Sequence, residues 1–243
     1  MSQALFTDHD TPRHRGTEVI REIPGLGVSA SRWYVAAVCA AAFVLVGPHA
    51  GQAQTRDFML RGFADVGSTA FVAGRSFTAV TGSPRGPVFG GGVEAVLPQR
   101  LFVQLRASRF RRTGQRVFLF NSERFDLGIP VTVTVAPLEL LGGYRFDYGW
   151  RVVPYAGAGL GWHRYEETSA FADASENLTE RFQGYELLGG AELHIAGWIG
   201  AAFETAWSRV PDALGRDPNS VSHEFHESDL GSATFRVKVV VGR

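Results

Sequence analysis

Few residues in this chain have the types and spacing to do chemistry. His223-Glu-Phe-His226-Glu227 sets two imidazoles three positions apart beside Glu224 and Glu227, a cluster that could hold a cation weakly. The same run contains the one His-x-Ser triplet, His226-Glu-Ser228, the pairing a base-activated nucleophile requires. A working triad also needs a carboxylate to orient the imidazole, and no neighbouring strand offers one. Gly90-Gly-Gly92 is followed by neither a helix nor the Lys-Ser/Thr pair that completes a phosphate cradle. Cys39 is the single cysteine, which excludes an intramolecular disulfide and any multi-cysteine metal site. No catalytic residue, metal site or cofactor is expected, and the His-Glu run reads as a hydrated loop face.

What the chain does carry is charge sorted by position. Lys+Arg and Asp+Glu both number 24, so no net field draws it toward nucleic acid. Many of these charges alternate with apolar residues at a period of two, the signature of strands lying between unlike environments. Eight such stretches follow Phe58. The last, Ala233 to Val241, sets Phe235, Val237, Val239 and Val241 against Arg236 and Lys238. In the first, Leu60, Ala64 and Val66 oppose Arg61, Phe63 and Asp65. In the fourth, Val131, Val133 and Val135 give way after Pro137 to Leu138, Leu140 and Tyr144, a change of phase that predicts a bulge.

The polar phase holds many of the 29 glycines, which suit the crowded interior of a narrow barrel. It also balances Asp65, Glu94, Glu186, Glu192 and Glu204 against Arg61, Arg106, Arg236 and Lys238. An enclosed network needs that balance, because an unpaired buried charge costs several kcal/mol. The expected connections, 72–85, 98–100, 114–128, 147–151, 167–180, 196–197 and 211–230, alternate long and short, as in barrels with long outer loops and short inner turns. Phe58, Phe71, Tyr144, Phe146, Trp162, Tyr165, Trp198 and Trp207 fall near strand ends, where aromatic girdles belong. The reading is all-β: an eight-stranded antiparallel up-and-down transmembrane barrel with its apolar face outward.

The first fifty residues differ from the rest. Trp33–Val46 is a continuous apolar run preceded by Arg32 and ended by Gly47-Pro48, too short for the ~20 residues of a membrane helix. Gly51-Gln-Ala53 follows with small residues where a signal peptidase reads. Residues 1–53 are therefore read as a polar lead-in plus a cleaved secretory signal, and 54–243 as the barrel domain.

Pro137-Leu-Glu-Leu-Leu-Gly-Gly-Tyr-Arg-Phe146, followed by Val153-Pro-Tyr-Ala-Gly-Ala-Gly-Leu-Gly-Trp162, resembles the central hairpin of the small outer-membrane β-barrel superfamily, the group around the OmpA transmembrane domain and OmpX. The resemblance covers roughly residues 56–243. It implies a monomer in the outer membrane, contacting lipid, lipopolysaccharide and the barrel assembly machinery. For function the expected reading is a non-enzymatic anchor that displays polar surface loops, its narrow lumen braced and largely plugged by the interior Glu/Arg/Lys network. Such barrels also host small gated pores and lipid A-modifying enzymes. The chain departs from the family in ending Val241-Gly-Arg243 rather than on an aromatic residue. Arg109, Arg111 and Arg112, where the third strand leaves the bilayer, are candidates to meet lipopolysaccharide phosphates.

Overall fold

The computed structural model describes residues 58–120, 123–147, 149, 151–169, 177–218 and 220–242. The lead-in, the signal segment and Cys39 lie outside the described residues. Eight strands follow in order: β1 Met59–Phe71, β2 Arg85–Val96, β3 Leu101–Phe120, β4 Glu123–Arg145, β5 Val152–Thr168, β6 Leu178–Ala196, β7 Ile199–Arg209 and β8 Ser232–Gly242. Each pairs antiparallel with its neighbours, and β8 returns to β1, closing the barrel with Asp65 opposite Lys238 and Phe63 opposite Val240. Closure leaves no strand edge, the condition for a sheet to exist in hydrocarbon, where each unpaired backbone group costs several kcal/mol. Two short helices cap the outer end: α1 Gly74–Thr81 between β1 and β2, and α2 Val221–Glu224 between β7 and β8.

The distribution of side chains is inside out. Leu60, Val66, Phe89, Leu105, Leu140, Leu160, Leu187, Phe203, Phe235 and Val237 lie on the outer wall, 40–60% exposed. Arg61, Glu94, Arg106, Glu139, Glu204 and Lys238 are buried within. A protein in water places these groups the other way round. Glycine makes the interior possible. A Cβ at Gly143 would fall against the Ala156 carbonyl oxygen and within 2.7 Å of the Gly157 Cα.

The strands differ in length. β1, β7 and β8 have 13, 11 and 11 residues, near the ~9–11 that cross a bilayer. β3 to β6 run for 20, 23, 17 and 19 and must project beyond it. The turns 97–100, 146–151 and 197–198 at the other end are short, so the projection lies on the side of α1 and α2.

Three expectations are corrected. The segment 114–128 is largely strand, with β3 and β4 paired out to Phe120 and Glu123; the contrast between the two ends is therefore one of reach rather than of strict loop length. The bulge expected at Pro137 is absent. β4 keeps one register with β5 from Thr132–Thr168 through Pro137–His163 to Arg145–Tyr155, and the irregularity lies between Gln115 and Val117 of β3. Val131, Val133 and Val135 thus point inward, on the same side as Glu139. Finally, Phe71 and Tyr165 are buried inside rather than set in a girdle, whereas Trp162 and Trp207 do lie on the outer wall, and Trp198 is exposed in the short turn between β6 and β7.

Gly143→Leu should prevent closure, so that the protein loses the compact, fast-migrating band of an unheated barrel on a gel. Gly197→Ala, at a turn where a Cβ meets nothing within 4 Å, should keep that band.

Candidate functional site

The barrel interior is filled in layers, each dictated by which residue the pleat turns inward. Lowest lies a ring of two guanidiniums and two carboxylates from four strands. Arg61 of β1 donates to Glu192 of β6 at 2.7 Å and to Glu94 of β2. Arg145 of β4 donates to the same two acids at 3.0 and 3.3 Å. Each arginine bridges both glutamates, so no member can be removed without stranding a buried charge.

Above the ring, Glu204 of β7 is the hub. It accepts from Arg106, from the Tyr155 hydroxyl at 3.0 Å and from Lys238 at 3.3 Å. Lys238 also donates to Gln104 at 3.1 Å. Its ammonium lies 4.7 Å from the Phe63 ring centre and 5.0 Å from that of Tyr155. Arg106 lies 3.6–3.7 Å from Asp65, Glu139 and Glu186, and Arg236 lies 3.5–3.9 Å from the same three and Glu204. Five cations (Arg61, Arg106, Arg145, Arg236, Lys238) thus face six carboxylates (Asp65, Glu94, Glu139, Glu186, Glu192, Glu204). In surroundings of low dielectric such pairs attract strongly, and the same surroundings make each partner costly alone.

The nine residues expected in the lumen are all buried there. Glu139 and Arg145 belong to the same network and were missed. Both alternate with the outward Leu138, Leu140 and Tyr144, and strict parity through Pro137 would have found them. His163 is also buried, opposite Pro137. His194 reaches the lower mouth, 3.3 Å from Glu192.

Next comes a cavity of about 30 Å³, bounded by Glu139, His163, Glu186, Ser208, Thr234 and Arg236 below and by Phe71, Phe110 and Leu230 above. Over it sits an apolar stopper. Phe77 of α1 stacks on Phe71 with ring centres 4.1 Å apart, and Phe110 meets Phe71 edge-on at 4.9 Å. Val133, Val135, Tyr165, Phe182, Val210 and Leu230 complete the cluster. The outermost layer is an open cup of about 410 Å³, floored by Phe77, Val133, Tyr165 and Leu214 and edged by Arg116, Glu167, Glu180 and Arg216.

The stopper is held from the far end of the chain. Glu227, in the β7–β8 connection, accepts from the Arg75 N–H at 3.0 Å and from Ser76 through its N–H at 2.8 Å and its hydroxyl at 2.6 Å. These N–H groups open α1, whose Ala73 N-cap supplies no side-chain bond; a carboxylate there satisfies orphan donors and the helix dipole together. Val72 N–H donates to Gly231 O at 2.8 Å beside it.

The remaining candidates separate. His226 Nδ1 pairs with the His223 carbonyl at 2.9 Å and His223 Nδ1 with that of Gly215 at 2.9 Å. Glu227 is engaged at α1, and among the described residues no group of three or more acidic, histidine or cysteine side chains is disposed to hold a metal. Nor is there a hydrogen bond between His226 and Ser228 among the described residues. The arginine run divides by parity. Arg109 and Arg111 face outward, whereas Arg112 turns to the other side of β3, where its guanidinium donates to the Arg85 carbonyl.

A closed sheet with an apolar outer wall and a charged, packed interior defines a membrane-spanning β-barrel protein of the small eight-stranded kind, the fold that the sequence resemblance implied. Solved structures to which the chain is similar include Neisserial surface protein A, at 14% identity over 76% of this chain and 96% of that one, with a TM-score of 0.46. Another is a major outer membrane protein from Thermus thermophilus, at 12% identity over 76% and 99%, with a TM-score of 0.47. The N-terminal β-barrel domain of Pseudomonas aeruginosa OprF is similar at 11% identity over 76% and 97%, with a TM-score of 0.41. No family model and no curated protein sequence matches the chain.

Arg106→Met should cost about 3–5 kcal/mol of unfolding free energy, the usual penalty for breaking a buried ion pair, read by urea titration in detergent. Glu227→Ala should cost only about 1 kcal/mol, on the scale of a lost helix cap, and should raise amide exchange across 74–81 while leaving the barrel strands protected.

Proposed function

We propose that this protein is a non-enzymatic outer-membrane barrel, inserted as a monomer, that acts as a sealed scaffold displaying the structures at its outer mouth. The observation that carries this reading is the double closure of the lumen. A charged network spans the inner half and an aromatic stopper, tied down by Glu227, fills the outer half. Charge networks of this density hold strands together; a conducting path would need them to part. The projection of β3 to β6 supports the display role, since those strands build a wall well beyond what crossing the bilayer requires. The open cup they surround, apolar at its floor and charged at its edge, has the volume and lining of a small-ligand site. It is the part of the scaffold best formed to meet another molecule.

The reading is tested in planar bilayers. The purified protein should show no steady ionic conductance, and Glu227→Ala should at most produce brief openings, because the charged layers beneath the stopper stay paired. A stable, ohmic conductance from the unmodified protein would instead make it a small pore. Fractionation should place it with the outer membrane; recovery in the inner membrane or in soluble form would overturn the localisation. An altered lipid A mass on expression, abolished by His226→Ala, would establish the enzymatic alternative.

A further inference from the structure

The open cup at the outer mouth sorts its polar groups by wall. On the β5–β6 side the ladder sets Tyr165 opposite Glu180 and Glu167 opposite Leu178. All four line the cup, because alternation turns these positions inward and their neighbours outward. Glu167 and Glu180 are thus diagonal neighbours on one strand pair, where like charges destabilise each other. Tyr165 donates its hydroxyl to Glu167, and an ionised carboxylate accepts more than one such bond. Among the described residues no arginine, lysine or histidine comes within ion-pair distance of either acid; the rim pair is Arg164 with the outward Glu166.

The arginines of the cup stand elsewhere. Arg116 belongs to β3, on the far side of β4 from this wall. Arg216 donates through Nε to the Asp212 carbonyl at 2.8 Å, and its guanidinium lies 5.2 Å from the Phe182 ring centre. Phe182 is the next inward residue of β6 after Glu180, so a cation of the chain itself already lies against this wall. Asp217 adds a third carboxylate to the lining. Beneath the charges the floor is apolar, and it is preformed. Glu227 holds the start of α1, and near its end Val80 packs so closely on β3 that a Cβ at Gly114 would meet its carbonyl oxygen.

We propose that the cup binds an organic ammonium ion from the outer side, its apolar body on the floor and its cationic end between Glu167 and Glu180. A cation is required because two adjacent carboxylates face the cavity without a basic partner. An apolar body is required because Phe77, Val133 and Leu214 form the floor. The aromatic rings of Phe77 and Tyr165 favour the same charge, since a ring face attracts an ammonium. A cup of about 410 Å³ suits a small molecule. The inference rests on the cup being a ligand site, as proposed above, and names the class of its ligand.

The full-length mature protein, in nanodiscs of zwitterionic lipid, is titrated by calorimetry with phenethylammonium, phenethyl alcohol and phenylpropionate. The three share one apolar body and differ in charge, and empty nanodiscs correct for partition into lipid. The ammonium should bind at least about tenfold more tightly than the alcohol, the worth of one charge-assisted hydrogen bond. Phenylpropionate should bind more weakly than either. In E167Q/E180Q the preference for the ammonium should vanish while the alcohol still binds, and in E166Q it should survive. Leu214→Trp, which fills the floor, should abolish binding of all three. Each variant is first shown to keep the heat-modifiable band. Equal binding of ammonium and alcohol, or tighter binding of phenylpropionate, would overturn the proposal while leaving the cup a ligand site of another class. An undiminished preference in E167Q/E180Q would overturn it as well. Binding of none of the three would overturn the reading of the cup itself.

Discussion

Everything in this molecule depends on the pairing of β1 with β8. In hydrocarbon a strand edge cannot exchange its hydrogen bonds for water, so an eight-stranded sheet is stable there only when closed. Closure fixes the width of the interior, and at eight strands that interior is just wide enough for side chains to fill. The glycines then follow. Strands that crowd this closely cannot carry a Cβ at Gly92, Gly143 or Gly159 without meeting a neighbouring backbone. The charges follow as well: once lipid claims the outer wall, polar residues can only turn inward, where they must neutralise one another.

The inner packing is not uniform along the axis. Arg61, Glu94, Arg145 and Glu192 form a tight, fully bridged ring, whereas above it only the Arg106–Glu204 contact is short, and the remaining ion pairs of Arg106 and Arg236 lengthen to 3.5–3.9 Å. Above them polarity gives way to stacked aromatics. The sequence change behind this transition is plain in β4, where the inward positions read Val131, Val133 and Val135 and then, past Pro137, Glu139, Leu141, Gly143 and Arg145. One strand therefore contributes to both the stopper and the charge network without changing register.

That transition also marks how far the sequence could be read. Period-two alternation identified the eight strands and the inward face of most, because lipid on one side and a filled lumen on the other give adjacent residues opposite chemistry. It misled where the lumen itself turns apolar. Val131, Val133 and Val135 face inward while Leu138 and Leu140 face outward, so the apolar set changes phase and a bulge is the natural explanation. Phe71 and Tyr165 were assigned to girdles for the same reason. Beyond the bilayer the alternation loses its cause, so the paired extensions of β3 and β4 read as a loop. The Glu227 contact with α1 was invisible, since it joins residues about 150 positions apart.

That contact has a temporal side. Arg75 and Ser76 follow the first strand, and Glu227 precedes the last. The carboxylate meets the opening turn of α1 beside the Val72–Gly231 hydrogen bond that continues the pairing of β1 with β8. A chain inserted with seven strands paired would therefore present an unanchored helix over its mouth. The seal over the lumen therefore depends on the same meeting of first and last strands that completes the wall.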